Sequence, residues 1–449
     1  MILPVIRRNL FVPLFMSKSR SPRLQYWRYL EETQYYPREK LEEIQWARLK
    51  KLWNFLWKNN GYYRKKFLDA GLNENSLRYP TDISKLPILT KEEVRENTDA
   101  LISNGFDKKK LLHFKTGGST GKALDIFITE ECSELRNACA CRHDHWSGWE
   151  LGEPVGAVWG NPPSLDSWKK KVRWWLLEPV IYLDTMNVNE EAVLRFAKEW
   201  KRAKPTLLFG HSHSIYLLSQ YVQELGITEI RPKGIIGTSM MLLENERETI
   251  ESVFGVKVFN RYGCEEVSLI ASECEKHEGM HLNIEHLFIE FINDDGSPAG
   301  PGEQSKIVVT DLMNKAMPFV RYQVEDYGIP TDRICSCGRG LPLMDEVVGR
   351  TADFLVRHDG TKIAGVSLIE NTLTKIEGIK QMQIIQDNIN DIHLNIVAGP
   401  DFCEDTKKSL ISYFKALFGA GVSIEVELTR KIEQDPSGKY RFSICKVKT

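Results

Sequence analysis

Strand-like and helix-like patterns of apolar residues alternate along the middle of the chain. Short apolar runs typical of buried strands lie at 152–160, 205–210, 232–238 and 256–263. Between them, apolar residues recur at helical spacing at 190–203, 213–226 and 244–255. Strands that alternate with helices of this length predict a layered α/β fold with a mainly parallel sheet.

The first third of the chain combines helical stretches with one segment of strand, loop and strand. Apolar and aromatic residues at helical spacing predict a helix over 39–70. Thr90 with Glu93 three residues later is a capping-box pattern, which predicts a helix directly after Thr90. Residues 111–130 predict two strands around a glycine-rich loop, and residues 131–141 predict a further helix.

The period changes to two after residue 280, which is typical of hairpins. This β-rich sublobe, about 280–348, is expected to belong to a large N-terminal domain of residues 1–348. Residues 349–352 form a predicted joint, and 353–449 mix strands and helices in an α+β pattern. Residues 349–449 are therefore predicted to form a small, mobile C-terminal lid.

Composition and charge narrow the classes of function. The chain has 449 residues, 42% of them hydrophobic and 27% charged, as in globular proteins of two or three lobes. Its 60 basic and 61 acidic residues balance, which argues against non-specific nucleic-acid binding as the main task. No run of 18 apolar residues occurs, so we expect no transmembrane helix and a cytoplasmic location.

The N-terminal stretch MILPVIRRNLFVPLF is apolar but contains Arg7 and Arg8 and no clear small-residue cleavage site. It is therefore a poor signal peptide. Two interpretations stay open for this stretch. Its apolar residues between 10 and 15 could contact a membrane surface peripherally, or the segment could pack against its own domain.

A glycine- and hydroxyl-rich loop is the first candidate for chemistry, and it comprises Thr116, Gly117, Gly118, Ser119, Thr120, Gly121 and Lys122. Glycines let backbone N–H groups turn toward phosphate oxygens, hydroxyls add donors, and lysine adds charge. The loop is not a P-loop, because Thr116 replaces its first glycine and Ala123 follows Lys122. A flexible turn remains the alternative, but the hydroxyls and flanking strands favour phosphate binding.

Four further motifs follow at 260–266, 318–326, 349–353 and 437–441. The first lies at the end of a predicted strand, where ligands bind in open α/β sheets. An aromatic ring there can stack on a base, and a carboxylate can hold Mg²⁺. Taken singly, each motif is weak evidence for a functional site, since an ordinary acidic loop or a solvated lysine contains the same residue types.

The five motifs, in this order, resemble those of the adenylate-forming superfamily of acyl-CoA synthetases, nonribosomal peptide adenylation domains and luciferases. Within it, the short length, the cysteines and RYGCEEVS at 261–268 resemble the branch of phenylacetate-CoA ligase, coenzyme F-390 synthetase and CapK-type capsular polysaccharide proteins. The resemblance covers about residues 40 to 445. It implies an AMP-forming ligase that uses ATP to make an acyl-adenylate and pyrophosphate. The acyl group would then pass to CoA, or to an amine or hydroxyl acceptor in surface polysaccharide synthesis.

The resemblance also implies residue roles. Thr116 to Lys122 would hold the β- and γ-phosphates, Glu266 would bind Mg²⁺, and Asp326 would accept hydrogen bonds from the ribose. Arg350 would contact ribose or phosphate, and Lys439 would bridge the substrate carboxylate and the α-phosphate. The residues expected to frame adenine are Gly237, Thr238, Ser239, Met240, Tyr262 and Gly263.

Two positions depart from the superfamily pattern. Glu265 stands where a threonine usually precedes the metal-binding glutamate, so one expected α-phosphate donor is missing. Ala352 stands where a hinge aspartate usually follows Gly-Arg, and Asp353 comes next. The second departure bears on the swing of the C-terminal lobe and hence on the CoA half-reaction.

Cysteines and histidines at 274–281 and 335–337 form a candidate structural zinc set. We favour Cys274, His281, Cys335 and Cys337, with His277 as the alternative histidine, and buried free thiols as the alternative to a metal.

Two other functions stay in competition with the ligase. They are a different ATP-dependent phosphoryl-transfer enzyme and a non-catalytic relative that acts as a scaffold in polysaccharide assembly. Trp159, Phe209, His211 and Met241 are candidates for the pocket of the acid.

Overall fold

The computed structural model describes residues 2–115, 124–160, 166–177, 179–185, 188–350, 354–359, 362–433 and 441–447. Its α-helices are α1 Ile2–Ile6, α2 Val12–Ser19, α3 Arg23–Thr33, α4 Arg38–Asn59, α5 Gly61–Asp69, α6 Lys91–Glu96, α7 Glu130–Trp146, α8 Trp168–Leu177, α9 Glu190–Ala203, α10 Ser212–Glu224, α11 Glu244–Phe254, α12 Gly365–Lys375 and α13 Glu404–Phe418. A π-helical turn covers Arg7–Phe11, and 3₁₀ turns cover Pro80–Lys85 and Lys108–Lys110.

The strands are β1 Leu112–Lys115, β2 Asp125–Ile128, β3 Val155–Trp159, β4 Val180–Asp184, β5 Leu207–His211, β6 Gly234–Thr238, β7 Val258–Cys264, β8 Ser268–Glu273, β9 Met280–Leu282, β10 Leu287–Ile292, β11 Ser305–Asp311, β12 Tyr322–Pro330, β13 Leu343–Arg350, β14 Phe354–Val356, β15 Lys362–Ala364, β16 Ile379–Asn388, β17 Asp391–Ala398, β18 Ser423–Leu428 and β19 Ser443–Cys445.

One sheet of 11 strands organises the large part of the molecule, in the order β10-β11-β12-β13-β9-β8-β7-β6-β5-β3-β4. Strands β3 to β7 are parallel, as the alternation of strands and helices predicts. Strand β8 pairs antiparallel with β7 and begins the hairpin-rich half. The β-rich part therefore continues the edge of the parallel sheet, and the α/β fold class is confirmed.

Local signals place most of these elements correctly, but one predicted helix is interrupted. The stretch 39–70 forms α4 and α5 because Asn60 is extended and caps α5, its side chain accepting a hydrogen bond from the Tyr63 backbone N–H. The capping box of Thr90 and Glu93 is present at the start of α6. Helix α8 and strand β4 lie in a region for which the pattern predicted no element.

The C-terminal part is a sheet in the order β18-β17-β16-β19, accompanied by α12 and α13. Its core includes Ile384, Leu394 and Phe414, all fully buried. The same apolar cluster includes Leu243 and Tyr327 of the larger part, so the two parts pack together. The predicted division at residue 349 falls near the end of β13.

No described helix combines the length and the apolar content that crossing a bilayer requires.

Candidate functional site

The residues predicted to frame adenine meet where the parallel strands β6 and β7 end. Thr238 is the Cα partner of Arg261, and its hydroxyl donates a hydrogen bond to the Arg261 carbonyl oxygen at 2.7 Å. Ser239 then takes a left-handed conformation with φ of 64°, which turns the chain away from the sheet. At Gly263 a Cβ atom would lie 2.5 Å from the Ser268 carbonyl oxygen, so only glycine fits this bulge.

Tyr262 connects this turn to the predicted ribose-binding residue. Its hydroxyl donates a hydrogen bond to Asp326 Oδ2 at 2.6 Å, which joins β7 to β12. Asp326 is largely buried and pairs by Cα register with Arg350 on β13. Three residues from separate motifs therefore lie in one region of the sheet.

Glu266, the predicted Mg²⁺ ligand, is a buried residue whose side chain and backbone are held by Tyr322 and Arg136, two residues to which the sequence assigned no role. The Tyr322 hydroxyl donates to Glu266 Oε1 at 2.9 Å, and burial together with the Glu266 charge raises the pKa of Tyr322. The phenol therefore remains a hydrogen-bond donor at neutral pH.

Arg136, from helix α7, holds the backbone around Glu266. Its guanidinium donates to the carbonyl oxygens of Glu265 and Glu266 at 3.2 and 2.7 Å, and to Asp311 Oδ2 at 3.0 Å. The Glu265 side chain is exposed. Since Arg136 precedes this motif by about 130 residues, no local pattern links it to the site.

Several predicted residues fall outside what the structure describes. The loop from Thr116 to Lys122, residues 351–353 at the end of the predicted joint, and Lys439 are not among the described residues. The strands that flank the loop do form the predicted hairpin, in which Lys115 pairs with Asp125. These roles therefore stay predictions.

An aromatic wall lies at the carboxyl ends of β3 and β5. The Trp159 ring stacks on Phe209 at 5.2 Å between centroids and lies 4.2 Å from the His211 ring. Arg261 lies 4.7 Å above Phe209 and forms an ion pair with Asp144 at 2.8 Å. The fourth candidate for the acid pocket, Met241, packs against the C-terminal core.

A second cluster gathers Cys274, His281, Cys335 and Cys337, whose ligand atoms all lie within 4.8 Å of one another. The sulfur atoms of Cys274 and Cys335 are 3.6 Å apart, and Cys337 Sγ lies 3.3 Å from His281 Nε2. Zinc–sulfur bonds of about 2.3 Å in a tetrahedron place ligand atoms ~3.8 Å apart, whereas a disulfide would need about 2.05 Å. This donor set fits a zinc ion.

The surroundings of the cluster orient its ligands. His281 Nδ1 donates to the Leu341 carbonyl oxygen at 3.2 Å, which turns Nε2 toward the thiols. The backbone N–H groups of Lys276 and Arg339 donate to Cys274 and Cys337 sulfur at 3.5 and 3.4 Å. His277 instead contacts Glu273 at 3.2 Å, so the geometry favours His281.

The fold defines the class of protein. The structure is similar to 2-hydroxyisobutyryl-CoA ligase in the postadenylation state, with a TM-score of 0.74 and 17% identity over 92% of this chain and 91% of that one. The chain therefore has the fold of the adenylate-forming CoA ligases.

Sequence relatives indicate the branch. A family model described as the CapK C-terminal domain matches residues 355–446. Protein CapK of Staphylococcus aureus is 23% identical over 91% of this chain and 90% of its own length. Phenylacetate-coenzyme A ligase of Thermus thermophilus is 24% identical over 86% of this chain and 87% of its own. These matches confirm the predicted resemblance to the CapK and phenylacetate-CoA ligase branch of the adenylate-forming ligases.

Proposed function

We propose that the chain uses ATP to convert a carboxylic acid into an acyl-adenylate with release of pyrophosphate, and then transfers the acyl group to CoA. Relatives that are CoA ligases support an enzyme of the AMP-forming acid–thiol ligase class. The observation that carries the proposal is the hydrogen bond between Tyr262 and Asp326 beside the buried Glu266. This hydrogen bond supports the grouping of the residues predicted to contact base, ribose and metal in one region of the sheet.

The reaction brings two anions together, the substrate carboxylate and the α-phosphate, so positive charge must offset both. We assign Lys439 to bridge them, and the 116–122 loop and Arg350 to bind phosphate and ribose. Tyr322 uses one of about four lone-pair positions of the Glu266 carboxylate, which leaves acceptor capacity for a hard cation. Mg²⁺ held there would neutralise phosphate charge.

The acid is proposed to lie against the wall of Trp159, Phe209 and His211. Stacked rings favour flat apolar substituents, and the similarity to phenylacetate-coenzyme A ligase supports the same substrate class. We therefore expect arylacetic acids to be activated faster than short aliphatic acids. Because protein CapK is also a relative, amines and sugar hydroxyl groups should be tested as acyl acceptors in addition to CoA.

Zinc in the Cys274, His281, Cys335 and Cys337 cluster is proposed to be structural. Four protein ligands leave no open coordination position for a substrate. The cluster joins the β8–β9 segment to the segment before β13, so the metal would stabilise the antiparallel half of the sheet.

The test is exchange of labelled pyrophosphate into ATP across a panel of carboxylic acids, with and without Mg²⁺. We expect exchange that depends on Mg²⁺ and is lost in Glu266→Gln, whereas Glu248→Gln on the exposed face of α11 leaves it unchanged. CoA is not needed for this half-reaction. Release of ADP or orthophosphate without exchange would favour another phosphoryl-transfer enzyme. No turnover with any acid would favour the scaffold alternative.

A further inference from the structure

Helix α8 exposes an apolar face. Trp168, Val172 and Trp175 follow the i, i+4, i+7 spacing of one helix face and are 70%, 45% and 49% exposed. The structure describes all ten residues of this helix, and none of them is buried, although three are tryptophan. Since burial of apolar area drives folding, a helix with this composition is expected to meet another apolar phase.

The N-terminal helices lie against α8 and add to this surface. Arg7 is buried, and its Nε and Nη2 atoms donate to the Trp175 carbonyl oxygen at 3.0 and 2.7 Å. The Arg173 guanidinium lies 4.7 Å over the Phe15 ring. These contacts hold the N-terminal segment on its own domain, in agreement with the interpretation that this segment packs against the domain.

The same segment leaves its own apolar side chains exposed. We define the apolar patch as Val5, Ile6, Leu10, Leu14, Trp168, Val172 and Trp175, which make up half of the exposed large apolar side chains in the described part of the chain. The segment can therefore pack on its own domain and contact a lipid surface at the same time, because different side chains make the two sets of contacts.

Basic residues outnumber acidic ones in the two segments that carry the apolar patch, in a chain whose net charge is −1. Within 2–20 and 166–177 the basic residues are Arg7, Arg8, Lys18, Arg20, Lys169, Lys170, Lys171 and Arg173. The same segments contain one acidic residue, Asp166, which pairs with Lys170 at 3.6 Å. Outside them, Glu150 pairs with Arg8. The segments therefore carry a local positive excess.

We propose that the apolar patch docks on the surface of an anionic phospholipid bilayer, with α8 and the N-terminal helices in the plane of the headgroups. Tryptophan prefers the membrane–water interface, and lysine stems reach from apolar depth to the phosphates. Ten residues of helix are too short to span the hydrocarbon, so the geometry is interfacial. The positive excess favours a negatively charged lipid surface over a neutral one.

The experiment is co-sedimentation of the full chain with vesicles of phosphatidylcholine alone and with vesicles rich in phosphatidylglycerol, at low and high salt. We expect binding to the anionic vesicles that weakens with salt. Combined Trp168→Ser, Val172→Ser and Trp175→Ser changes should lower the partition coefficient about tenfold or more. Lys169→Glu with Lys171→Glu should lower it on the order of tenfold as well, without removing apolar area.

A matched control changes exposed apolar residues elsewhere, Leu194→Ser with Leu428→Ser, and should bind vesicles like the unaltered chain. Circular dichroism and pyrophosphate exchange verify that each variant is folded, because the replaced side chains are exposed and none of them is an assigned site residue. Binding that the triple change leaves intact, or no binding to anionic vesicles, overturns the proposal. So does sedimentation velocity that shows an oligomer lost in the triple variant, since the patch would then join copies of this chain.

Discussion

Tyr322→Phe tests whether Glu266 is an oriented metal ligand. The change removes one hydroxyl and leaves the fully buried ring in place, so packing is retained while the hydrogen bond to Glu266 Oε1 is lost. A hydrogen bond to a charged group contributes about 1.5–3 kcal/mol, equivalent to roughly 10- to 100-fold in an equilibrium constant. If the bond orients Glu266, the Mg²⁺ concentration that gives half-maximal pyrophosphate exchange should rise by up to this factor.

The assay is pyrophosphate exchange measured against Mg²⁺ concentration, with thermal unfolding followed in parallel. Tyr36→Phe is the matched control, since its hydroxyl donates at 2.5 Å to the Glu32 carboxylate at the surface and should leave both measurements unchanged. A fall in thermal stability with no change in Mg²⁺ dependence would show that Tyr322 only stabilises the fold. That result would contradict the role of Tyr322 in orienting Glu266 as an Mg²⁺ ligand.

Two further predictions concern the charge bridge and the zinc cluster. Lys439→Ala should slow acyl-adenylate formation about 100-fold or more, because it removes charge that offsets the transition state, while ATP binding changes much less. Near-normal pyrophosphate release by this variant, measured in single turnover, would contradict the assignment. Metal analysis should find about one zinc per chain, and Cys335→Ser should lose both the metal and thermal stability, whereas Cys403→Ser at an exposed thiol should lose neither. If protein prepared without a chelator contains no zinc, the proposal that the cluster binds zinc is wrong.

The order and type of most elements follow from local patterns in the sequence. Helix α9 spans the same residues, 190–203, that the apolar period predicts, because its amphipathic face and the Asn189 cap are local signals. The alternation of strands and helices was sufficient to predict the parallel strands β3, β5, β6 and β7, since each signal lies within one short segment. Ordered motifs were sufficient to recognise the ligase fold, because each motif keeps its residue types at fixed spacing.

Tertiary structure decided what depends on residues far apart in the chain. Period-two alternation cannot tell a separate lobe from an extension of the main sheet, and the pairing of β7 with β8 decides for the extension. The choice between His281 and His277 as the zinc ligand also depends on a long-range contact. His281 faces Cys337, which is 56 residues away in the sequence, whereas His277 contacts Glu273. The support of Glu266 by Tyr322 and Arg136, and the exposure of α8, are likewise long-range properties. Periodicity reports which face of an element is apolar, but only the packed neighbours determine whether that face is covered.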